Sequence, residues 1–500
     1  MRAEIEQMDT ADGADGTLTL VSEPAVDGIG PDPTGRVRLR GWGRATGSYA
    51  RYLPGPPTAG AVTTAGARGV IARGGGRSYG DAATNAGGVV LDTTRGAAIR
   101  RLDTERGVVV ADAGVRLRDL LAACLPAGWV PPVLPGTGHA TVGGALAADV
   151  HGKNHVACGS FGRHVVGLTL LTAAGEILEL GPGDDRFWAT VGGMGLTGVI
   201  QRVQLRLRPA APLSSARLRA ADLDGVLAAL DRAVAEPAGA GVHAVAWLDG
   251  WARGAALGRG LVEVSRPIVG GLDVPSVPAR TARSRITRRA VSLGAGMAAV
   301  LPGGGIAASS LTRLANQARW RMSGGDRDAG TRPTAEVLFP LDAADVWPAA
   351  FGRDGLVQYQ FAVPDAGAGL LAVALDRLQR AGIPPGLAVL KRFGRSLESA
   401  PLSFPLPGWT LALDLPAAAA GLGSLLDRLD GDVATAGGRV YLAKDARLRP
   451  EVLAAMYPGL ARWREVRDAM DPGGRFRSDL ARRLGLVGHP DTTDEGTPHA

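Results

Sequence analysis

The amino-acid sequence predicts an α+β protein with two domains. Its 500 residues exceed the size of one ordinary hydrophobic core, and 46% hydrophobic with 21% charged residues is typical of a globular chain rather than a disordered one. From residue 36 to 212, short apolar runs alternate with glycine-rich turns, which is typical of strands. From 213 to 437, strand–helix–strand units predict a sheet with helices on one face.

The first region is dominated by strands. The apolar runs that predict them are Gly69–Ala72, Val89–Leu91, Val108–Val110 and Leu168–Leu171. One helix interrupts this pattern over Leu117–Ala127, because apolar residues recur there at helical spacing, at Leu117, Leu120, Leu121 and Cys124.

The second region begins with a predicted helix, Leu223–Val234, and later repeats one plan twice. The first unit is a strand, Val357–Val363, then a helix that ends at Gly382, then a second strand, Leu387–Lys391. The helix of this unit carries Leu371, Ala374, Leu375 and Leu378 on one face. The second unit consists of strand Trp409–Leu415, helix Gly421–Leu429 and strand Arg439–Ala443.

The ends of the chain and one internal stretch differ from these patterns. Leu453, Met456, Leu460 and Trp463 have helical spacing, and Phe476–Leu484 predicts a final helix. Residues 1–35 and 488–500 lack periodicity and predict disordered tails. Between 274 and 325 there are eight Arg and no acidic residue, which predicts either a mobile solvated loop or a loop that meets an anionic lipid surface.

Charge and cysteine content narrow the classes of partner. A net charge of +7 suits an anionic ligand, a lipid surface or nucleic acid, and we rank nucleic acid last because no zinc-finger, RRM or basic-zipper pattern occurs. Cys124 and Cys158 are too few for a disulfide framework or a zinc site, so we expect two buried cysteines and no metal. Without a signal-peptide pattern or a membrane-spanning apolar run, we expect a cytoplasmic protein or one peripheral at the cell membrane.

The strongest functional signal is Ala72–Asp81, which reads Ala-Arg-Gly-Gly-Gly-Arg-Ser-Tyr-Gly-Asp directly after an apolar strand. Consecutive glycines let backbone N–H groups converge on one point, and such a nest binds phosphate. Arg73 and Arg77 are expected to add charge-assisted hydrogen bonds to a diphosphate. The segment is neither a Walker loop, since no Gly-Lys-Ser/Thr follows, nor a Rossmann fingerprint, since no long helix opens after it; a plain turn is the alternative.

Two further segments rich in small residues, Leu134–Gly144 and Phe187–Ile200, can bring backbone close to a flat or phosphorylated ligand. The stretch between them, Asp149-Val-His-Gly-Lys-Asn154, adds His151 and Lys153. A lone His is usually structural, but a His beside a glycine-rich loop is well placed for acid–base chemistry.

In their order, these three segments resemble the FAD-binding domain of the vanillyl-alcohol oxidase family, also called the PCMH-type fold, over residues 40–210. The resemblance implies that the first loop cradles the FAD diphosphate and that the second lines the flavin. Many members attach FAD through a His in the first loop. The corresponding residues here, Ser78–Asp81, contain no His, which implies non-covalent FAD.

Other segments resemble one group of that family, the decaprenylphosphoryl-β-D-ribose 2-oxidases, over about residues 36–487. They are Asp149–His155, Gly159–Gly162, Gln358–Gln360, Ala400–Trp409, Tyr441–Asp445, Met456–Pro458 and Ser478–Leu484. The group oxidises the ribose 2-hydroxyl of a polyprenyl-phosphate sugar to a ketone, and a partner short-chain reductase completes the epimerisation to the arabinose donor for cell-wall arabinan. The implied fold is a two-part FAD domain, 36–212 and 438–487, with a substrate domain on a mainly antiparallel sheet inserted over 213–437.

The resemblance also implies residue roles. The implied FAD contacts are Ala72, Arg73, Gly74, Gly75, Gly76, Arg77, Ser78, Tyr79, Gly80, Asp81, Ala82, Gly136, Thr141, Val142, Gly143, Gly144, Ala148, Asp149, Val150, His151, Ile200 and Tyr441. The implied substrate contacts are Lys153, Trp247, Gln358, Gln360, Lys391 and Phe393. Two of these, Lys153 and Lys391, can hold a phosphate as point charges, and Gln358 and Gln360 share one strand face by the period of two.

Alcohol oxidation needs a base for the hydroxyl proton while the carbon hydrogen passes as hydride to flavin N5. Lys444 is our first choice for that group, with His151 and Tyr79 as open alternatives.

The chain departs from the family at Ala412, where known members have Cys, and at Leu338, where they have Tyr. The first departure removes a target for thiol-directed inhibitors, and the second leaves a related sugar lipid open as substrate. An oxidase of free sugars, alditols or lactones and a non-enzymatic partner subunit are the competing hypotheses.

Overall fold

The computed structural model describes residues 18–19, 32, 34–235, 241–268, 310–323, 327–344 and 347–488. Most of the two predicted tails, and the larger part of the predicted loop at about 274–325, lie outside these ranges. Within them, helices and antiparallel sheets occur together, which confirms the α+β class.

The described residues form twenty β-strands. They are β1 (Leu18–Thr19), β2 (Val37–Arg40), β3 (Gly47–Pro54), β4 (Val70–Arg73), β5 (Val89–Asp92), β6 (Ala98–Asp103), β7 (Val108–Asp112), β8 (Trp129–Val130), β9 (Val165–Leu171), β10 (Ile177–Leu180), β11 (Val199–Arg206), β12 (Arg208–Pro209), β13 (Leu213–Ala220), β14 (His243–Leu248), β15 (Gly260–Pro267), β16 (Arg327–Arg332), β17 (Leu356–Val363), β18 (Leu387–Phe393), β19 (Gly408–Pro416) and β20 (Arg439–Val440).

The same ranges contain thirteen α-helices. They are α1 (Ala59–Thr63), α2 (Leu117–Cys124), α3 (Val142–Ala147), α4 (His155–Cys158), α5 (Asp185–Thr190), α6 (Leu223–Val234), α7 (Ser310–Met322), α8 (Thr334–Leu338), α9 (Gly369–Arg380), α10 (Leu422–Thr435), α11 (Pro450–Met456), α12 (Leu460–Met470) and α13 (Asp479–Arg483). None of the described helices is long and apolar enough to cross a membrane.

Two main sheets are built from strands that precede residue 213. A four-stranded sheet has the order β2-β3-β5-β4, in which β3, β5 and β4 are parallel. A six-stranded antiparallel sheet has the order β1-β6-β7-β11-β9-β10. Helix α2 buries Leu117, Leu120, Leu121 and Cys124 in the core of the second sheet, so the apolar face predicted for this helix is the buried one.

The third sheet has eight antiparallel strands in the order β16-β13-β15-β14-β18-β19-β17-β20. Alternate residues of its central strands point to opposite faces, as the pleat requires. One face, which includes Tyr359, Phe361, Leu411 and Leu413, shares its apolar core with helices α6, α9 and α10. The opposite face lines the cavity that is described below.

The C-terminal residues return to the first region of the chain. Strand β20 pairs with β17, and the chain then reaches β4, where Val70 N–H donates to the Arg475 carbonyl (2.8 Å) and Arg477 N–H donates to the Val70 carbonyl (3.0 Å). The Arg483 guanidinium donates two hydrogen bonds to Asp81 (2.9 and 2.8 Å). These contacts support our proposal that 36–212 and 438–487 form one domain and 213–437 another.

Three local predictions differ from the structure. The C-terminal part of the predicted loop, Ser310–Met322, is helix α7, because no helix-breaking Gly or Pro occurs between Gly305 and Gly324. Within the predicted N-terminal tail, Leu18–Thr19 forms strand β1 against β6. Cys124 is buried as expected, but Cys158 is only half-buried, with its sulfur 3.4 Å from Arg208 Nη1.

Candidate active site

A cavity of about 450 Å³ lies between the two glycine-rich loops and the uncovered face of the eight-stranded sheet. This volume is in the usual range for small-molecule and cofactor sites. Its walls include residues of the loop after β4, the segment around helix α3, the turn after β20 and strands β14, β17 and β18. Segments that are far apart in the sequence therefore share one space.

The two glycine-rich loops touch each other at one end of the cavity. A Cβ atom on Gly74 would lie 2.2 Å from Thr141 Oγ1, and one on Gly75 would lie 2.3 Å from the His139 carbonyl oxygen. Gly76 has φ +62°, a conformation that L side chains rarely adopt. Only backbone without side chains allows this approach, and it leaves N–H groups available to a phosphorylated ligand, so these residues fit a dinucleotide.

Most of the predicted FAD contacts line the cavity. They are Ala72, Gly74, Gly75, Gly76, Arg77, Ser78, Tyr79, Ala82, Gly136, Thr141, Gly143, Gly144, Ala148, Val150, His151, Ile200 and Tyr441.

Five predicted FAD contacts do not line the cavity. Three of these stabilise the first glycine-rich loop through contacts with other parts of the protein. The guanidinium of Arg73 donates to the carbonyl oxygens of Ala83 (3.2 Å) and Arg40 (2.8 Å), and these hydrogen bonds brace the loop. Asp81 is engaged by Arg483. A Cβ on Gly80 would lie 1.7 Å from a backbone carbonyl oxygen, so this glycine permits close packing of the C-terminal segment.

The other two are structural residues of the second loop. Val142 is buried in the core of the six-stranded sheet. The Asp149 carboxylate accepts hydrogen bonds from Gly162 N–H (2.8 Å) and Ser403 Oγ (2.5 Å), which hold the chain just before His151. A Cβ on Gly143 would meet Ala113 Cβ at 2.7 Å, so a side chain there would clash with the end of β7 and not with a ligand in the cavity.

The sheet contributes most of the predicted substrate contacts. Gln358 and Gln360 on β17, Lys391 on β18 and Trp247 on β14 all line the cavity, and Lys153 joins them from the stretch Asp149–Asn154. The pairing of Gln360 with Ala412 in register brings Ala412 to the same wall. Phe393 does not line the cavity, since it packs edge-on behind the His151 ring at 4.8 Å.

Lys444 lies in a turn and not on the predicted strand, because β20 ends at Val440 and Lys444 N–H donates to the Tyr441 carbonyl (2.9 Å). Its Nζ atom lies 3.7 Å from the centroid of the Tyr79 ring, a cation–π contact. The candidate bases Lys444 and Tyr79 are therefore neighbours. The third candidate, His151, lines the same cavity as these two residues.

Known protein families match both ends of the chain. The family described as FAD binding domain matches residues 59–181, and the family described as D-arabinono-1,4-lactone oxidase matches residues 427–484. The decaprenylphosphoryl-β-D-ribose oxidase of Mycolicibacterium smegmatis is 39% identical over 468 residues, which cover 91% of this chain and 99% of that protein. The chain belongs to the decaprenylphosphoryl-β-D-ribose oxidase family. It is therefore an FAD-dependent oxidoreductase with a PCMH-type FAD-binding domain.

Two further relatives mark the range of similarity. A Streptomyces coelicolor protein encoded in the mprA 5′ region is 41% identical over 385 residues, which cover 74% of this chain and 100% of that protein. An alditol oxidase of a Streptomyces species is 31% identical over 109 residues, which cover only 22% of this chain and 26% of that protein. The similarity to the decaprenylphosphoryl-β-D-ribose oxidase family thus extends through the sheet domain, whereas that to the alditol oxidase does not span the chain.

In this member of the decaprenylphosphoryl-β-D-ribose oxidase family, His151 is held as a neutral ring. Gln360 Nε2 lies 3.0 Å from His151 Nε2 and donates to it, so the ring proton is on Nδ1. Burial, together with the charges of Lys391, His155 and Lys444, lowers the pKa of His151 well below its usual value. The lone pair of Nε2 is already engaged by Gln360, which leaves His151 poorly suited to accept a substrate proton.

Asp414 is a residue that the sequence analysis missed. Its carboxylate accepts hydrogen bonds from Gln358 Nε2 (2.5 Å) and Trp347 Nε1 (2.6 Å). Burial raises its pKa, while these two hydrogen bonds and the charge of Lys444 oppose that rise. The sequence contains a signal for this role, because Asp414 is a charged residue in an otherwise apolar strand. It lies two positions from Ala412, so both side chains are on the same face of the sheet.

The three candidate bases differ in pKa. Burial lowers the pKa of Lys444 to about 7, the charge of Asp414 opposes this effect and the charge of Lys391 adds to it. Burial and the nearby Asp414 carboxylate raise the pKa of Tyr79 well above 10. Near neutral pH, Lys444 is the one of the three that exists in both charge states.

The remaining cations lie along the sheet wall. Burial, with a contribution from Lys153, lowers the pKa of Lys391 to about 8, and burial lowers that of Lys153 to about 8 against the opposing charge of Glu263. Lys391 makes no hydrogen bond or ion pair with the described residues, although it lines the cavity. Leu338, aligned with a family Tyr, is buried in the core of the six-stranded sheet, and the nearby Leu341 lines the cavity instead.

Among the residues that the structure describes, there is no group of three or more His, Cys, Asp or Glu residues that could hold a metal ion.

Proposed function

We propose that this protein oxidises the 2-hydroxyl group of decaprenylphosphoryl-β-D-ribose, or of a close polyprenyl-phosphate sugar, to the 2-keto product. One observation carries the proposal: a single cavity joins two glycine loops that suit FAD to a sheet face with two glutamines and several basic groups. The Mycolicibacterium smegmatis relative, which carries this substrate in its name, matches almost the full length of the chain. The product would be the first half of an epimerisation to the arabinose donor for cell-wall arabinan, completed by a partner short-chain reductase.

FAD would lie along the cavity without a covalent bond, because Ser78–Asp81 contains no His to attach it. The backbone of Gly74–Gly76 and the side chain of Arg77 are the groups placed for its diphosphate, and Gly144, Val150 and Ile200 line the part suited to the ring. Bound FAD supplies the acceptor for the hydrogen that leaves the sugar carbon with two electrons.

Lys444 is the proposed base. With a pKa of about 7, a large fraction of its amine is neutral at neutral pH and can take the proton of the substrate hydroxyl. Gln358 and Gln360 face the same space and can orient the sugar hydroxyls, while His151 stays neutral and fixes the amide of Gln360. Lys391 and Lys153 add positive charge along the path of an anionic substrate.

A free sugar, alditol or lactone as substrate is the less favoured hypothesis. Neutral substrates would leave the sheet wall with more cations than Glu263 can compensate, and burying excess positive charge without an anion is unfavourable. The alditol oxidase relative also covers only 22% of this chain.

Anaerobic mixing of the FAD-loaded protein with a short-chain polyprenylphosphoryl-β-D-ribose tests the proposal. We expect loss of the visible flavin absorbance and formation of the 2-keto sugar, with no reduction by soluble alditols. Reduction by xylitol or sorbitol but not by the polyprenyl-phosphate sugar would overturn it. Addition of a short-chain reductase and its nicotinamide cofactor should then convert the keto product to the arabinose epimer.

We also propose peripheral contact with an anionic membrane surface. Helix α7 exposes Leu314 (61%) and Met322 (81%) beside the exposed cations Arg313 and Arg321, a combination that suits a lipid interface. Sedimentation with phosphatidylglycerol vesicles should retain the protein, and Leu314→Ser with Met322→Ser should weaken that retention. Equal retention by neutral and anionic vesicles would contradict the electrostatic part of this proposal.

A further inference from the structure

One wall of the cavity carries more positive charge than the proposed chemistry uses. Glu263 on β15 has three cations within 4.0 Å: Arg217 Nη2 at 3.0 Å, Arg332 Nη1 at 3.6 Å and Lys153 Nζ at 4.0 Å. Lys153, Arg217 and Glu263 line the cavity. Arg332 Nη2 also lies 4.0 Å from Glu336 Oε2, but two carboxylates cannot neutralise three cations, so this wall remains positive and attracts an anion.

A fourth cation joins the group from helix α7. The guanidinium carbon of Arg319 lies 4.5 Å from the centroid of the Trp247 ring, and both residues line the cavity. Arg319 makes no hydrogen bond or ion pair with the described side chains, yet it is near enough for the charges of Arg217 and Glu263 to act on it. Stacking on Trp247 fixes the plane of the guanidinium while its N–H donors stay available.

We propose that Arg319 and Arg217, with Lys153 beside them, bind the phosphodiester group of the substrate, and that Trp247 holds Arg319 in position. The inference rests on the proposed function and adds to it the residues that select a phosphorylated substrate. An arginine fork matches the paired oxygens of a phosphodiester, whereas lysine offers a point charge. The single negative charge of the diester compensates the excess positive charge of this wall.

The arrangement separates recognition from chemistry along the cavity. In the order of the eight-stranded sheet, β18 with Lys391 lies between β14 and β15, which carry Trp247 and Glu263, and β20, which Lys444 follows. Lys391 therefore lies between the proposed anion site and the proposed base. A sugar attached to a phosphodiester at Arg319 would therefore extend past Lys391 toward Lys444. Arg319 is a specificity residue in this arrangement and not a catalytic residue.

The first experiment compares Arg319→Gln with Arg380→Gln, an exposed arginine of helix α9 that does not line the cavity. Two substrates are used, farnesylphosphoryl-β-D-ribofuranose and a farnesyl β-D-ribofuranoside that lacks the phosphate. For Arg319→Gln, we expect the half-saturating concentration of the phosphodiester to rise roughly tenfold, as loss of one charge-assisted interaction predicts, with an unchanged limiting rate of flavin reduction. The uncharged analogue should respond equally in the wild type and both variants.

An equal loss with both substrates, or no loss with the phosphodiester, would overturn the assignment. A second measurement uses calorimetric titration of the FAD-loaded protein with farnesyl methyl phosphate, which cannot be oxidised at a sugar. The anion site is supported if the wild-type protein binds this diester and Arg319→Gln binds it roughly tenfold more weakly. This result supports the site even if no sugar is oxidised, in which case only the proposed function is wrong. Equal affinity of the two proteins, or binding of inorganic phosphate as tight as that of the diester, would overturn a site for the lipid phosphodiester.

Discussion

We expect the charge of Asp414 to raise the pH at which Lys444 becomes neutral, and the substitution Asp414→Asn tests this relation. Burial lowers the pKa of Lys444 to about 7, while the negative charge of Asp414 stabilises the ammonium form and opposes that effect. Only the neutral amine can accept the hydroxyl proton, so the rate of flavin reduction should rise with pH through the pKa of Lys444. Removal of the carboxylate charge destabilises the ammonium form and moves this midpoint to lower pH.

The size of the shift follows from the geometry. Asp414 is buried but forms no ion pair with Lys444 within 4.0 Å among the described contacts, so its effect belongs at the low end of the range for opposite charges, about one pKa unit or 1.4 kcal/mol. At pH 6 the neutral fraction of Lys444 would then increase from about 9% to about 50%, roughly a fivefold gain in relative rate.

The assay is anaerobic stopped-flow measurement of flavin reduction at saturating substrate from pH 5.5 to about 9, the range that spans the expected midpoints. Asp414→Asn preserves shape, since Gln358 can turn its amide to accept from the new nitrogen, and an unchanged flavin spectrum verifies folding. Lys391→Gln is the opposing control, because removal of a neighbouring positive charge raises the pKa of Lys444 and moves the midpoint upward. Midpoints that do not move, or that move in the same direction in both variants, refute Lys444 as the titrating base.

Three other predictions concern the base, the loops and the fold. Lys444→Ala should keep its FAD, seen in the visible spectrum, but lose reduction by substrate; reduction at the wild-type rate would remove Lys444 from the mechanism. Gly143→Val should yield colourless protein because its side chain would clash 2.7 Å from the end of β7, whereas Gly183→Val, with nothing within 4 Å, should stay yellow. Arg467→Ala breaks an ion pair whose side chains are 2% and 0% exposed and should lower the free energy of unfolding by about 3–5 kcal/mol in urea titrations, against less than about 1 kcal/mol for the exposed Arg462→Ala. Comparable losses for the two arginine variants would contradict the role of burial.

Local elements could be predicted well where one pattern decided them. Helix α6 was predicted over Leu223–Val234, which is its observed range, and the structure shows that it buries Leu223, Val226 and Leu230. Alternation predicted strand β17, and the same period of two placed Gln358 and Gln360 on one side of the sheet, where both line the cavity. Elements that depend on a partner were harder: β20 is shorter than expected because only Arg439 and Val440 reach the edge of β17.

Side-chain roles could not be predicted where distant segments determine them. Arg73 resembles a phosphate ligand in the sequence, but the carbonyl groups of Arg40 and Ala83 engage its donors. Helix α7 was not recognised because the glycine and proline residues before it masked its period. Asp414 and Arg319 carry no motif, and their importance arises from neighbours on other elements.

The sequence by itself determined the positions of the two glycine-rich loops, the alternation of the sheet strands and the family to which these motifs are similar, because backbone freedom and side-chain period are local properties. Only the tertiary structure decided which charges share the cavity. Lys444, Asp414 and Lys391 come from three separate elements, and both burial and Coulomb interaction depend on distance in space. The pKa of the proposed base is for this reason a property of the fold and not of any segment.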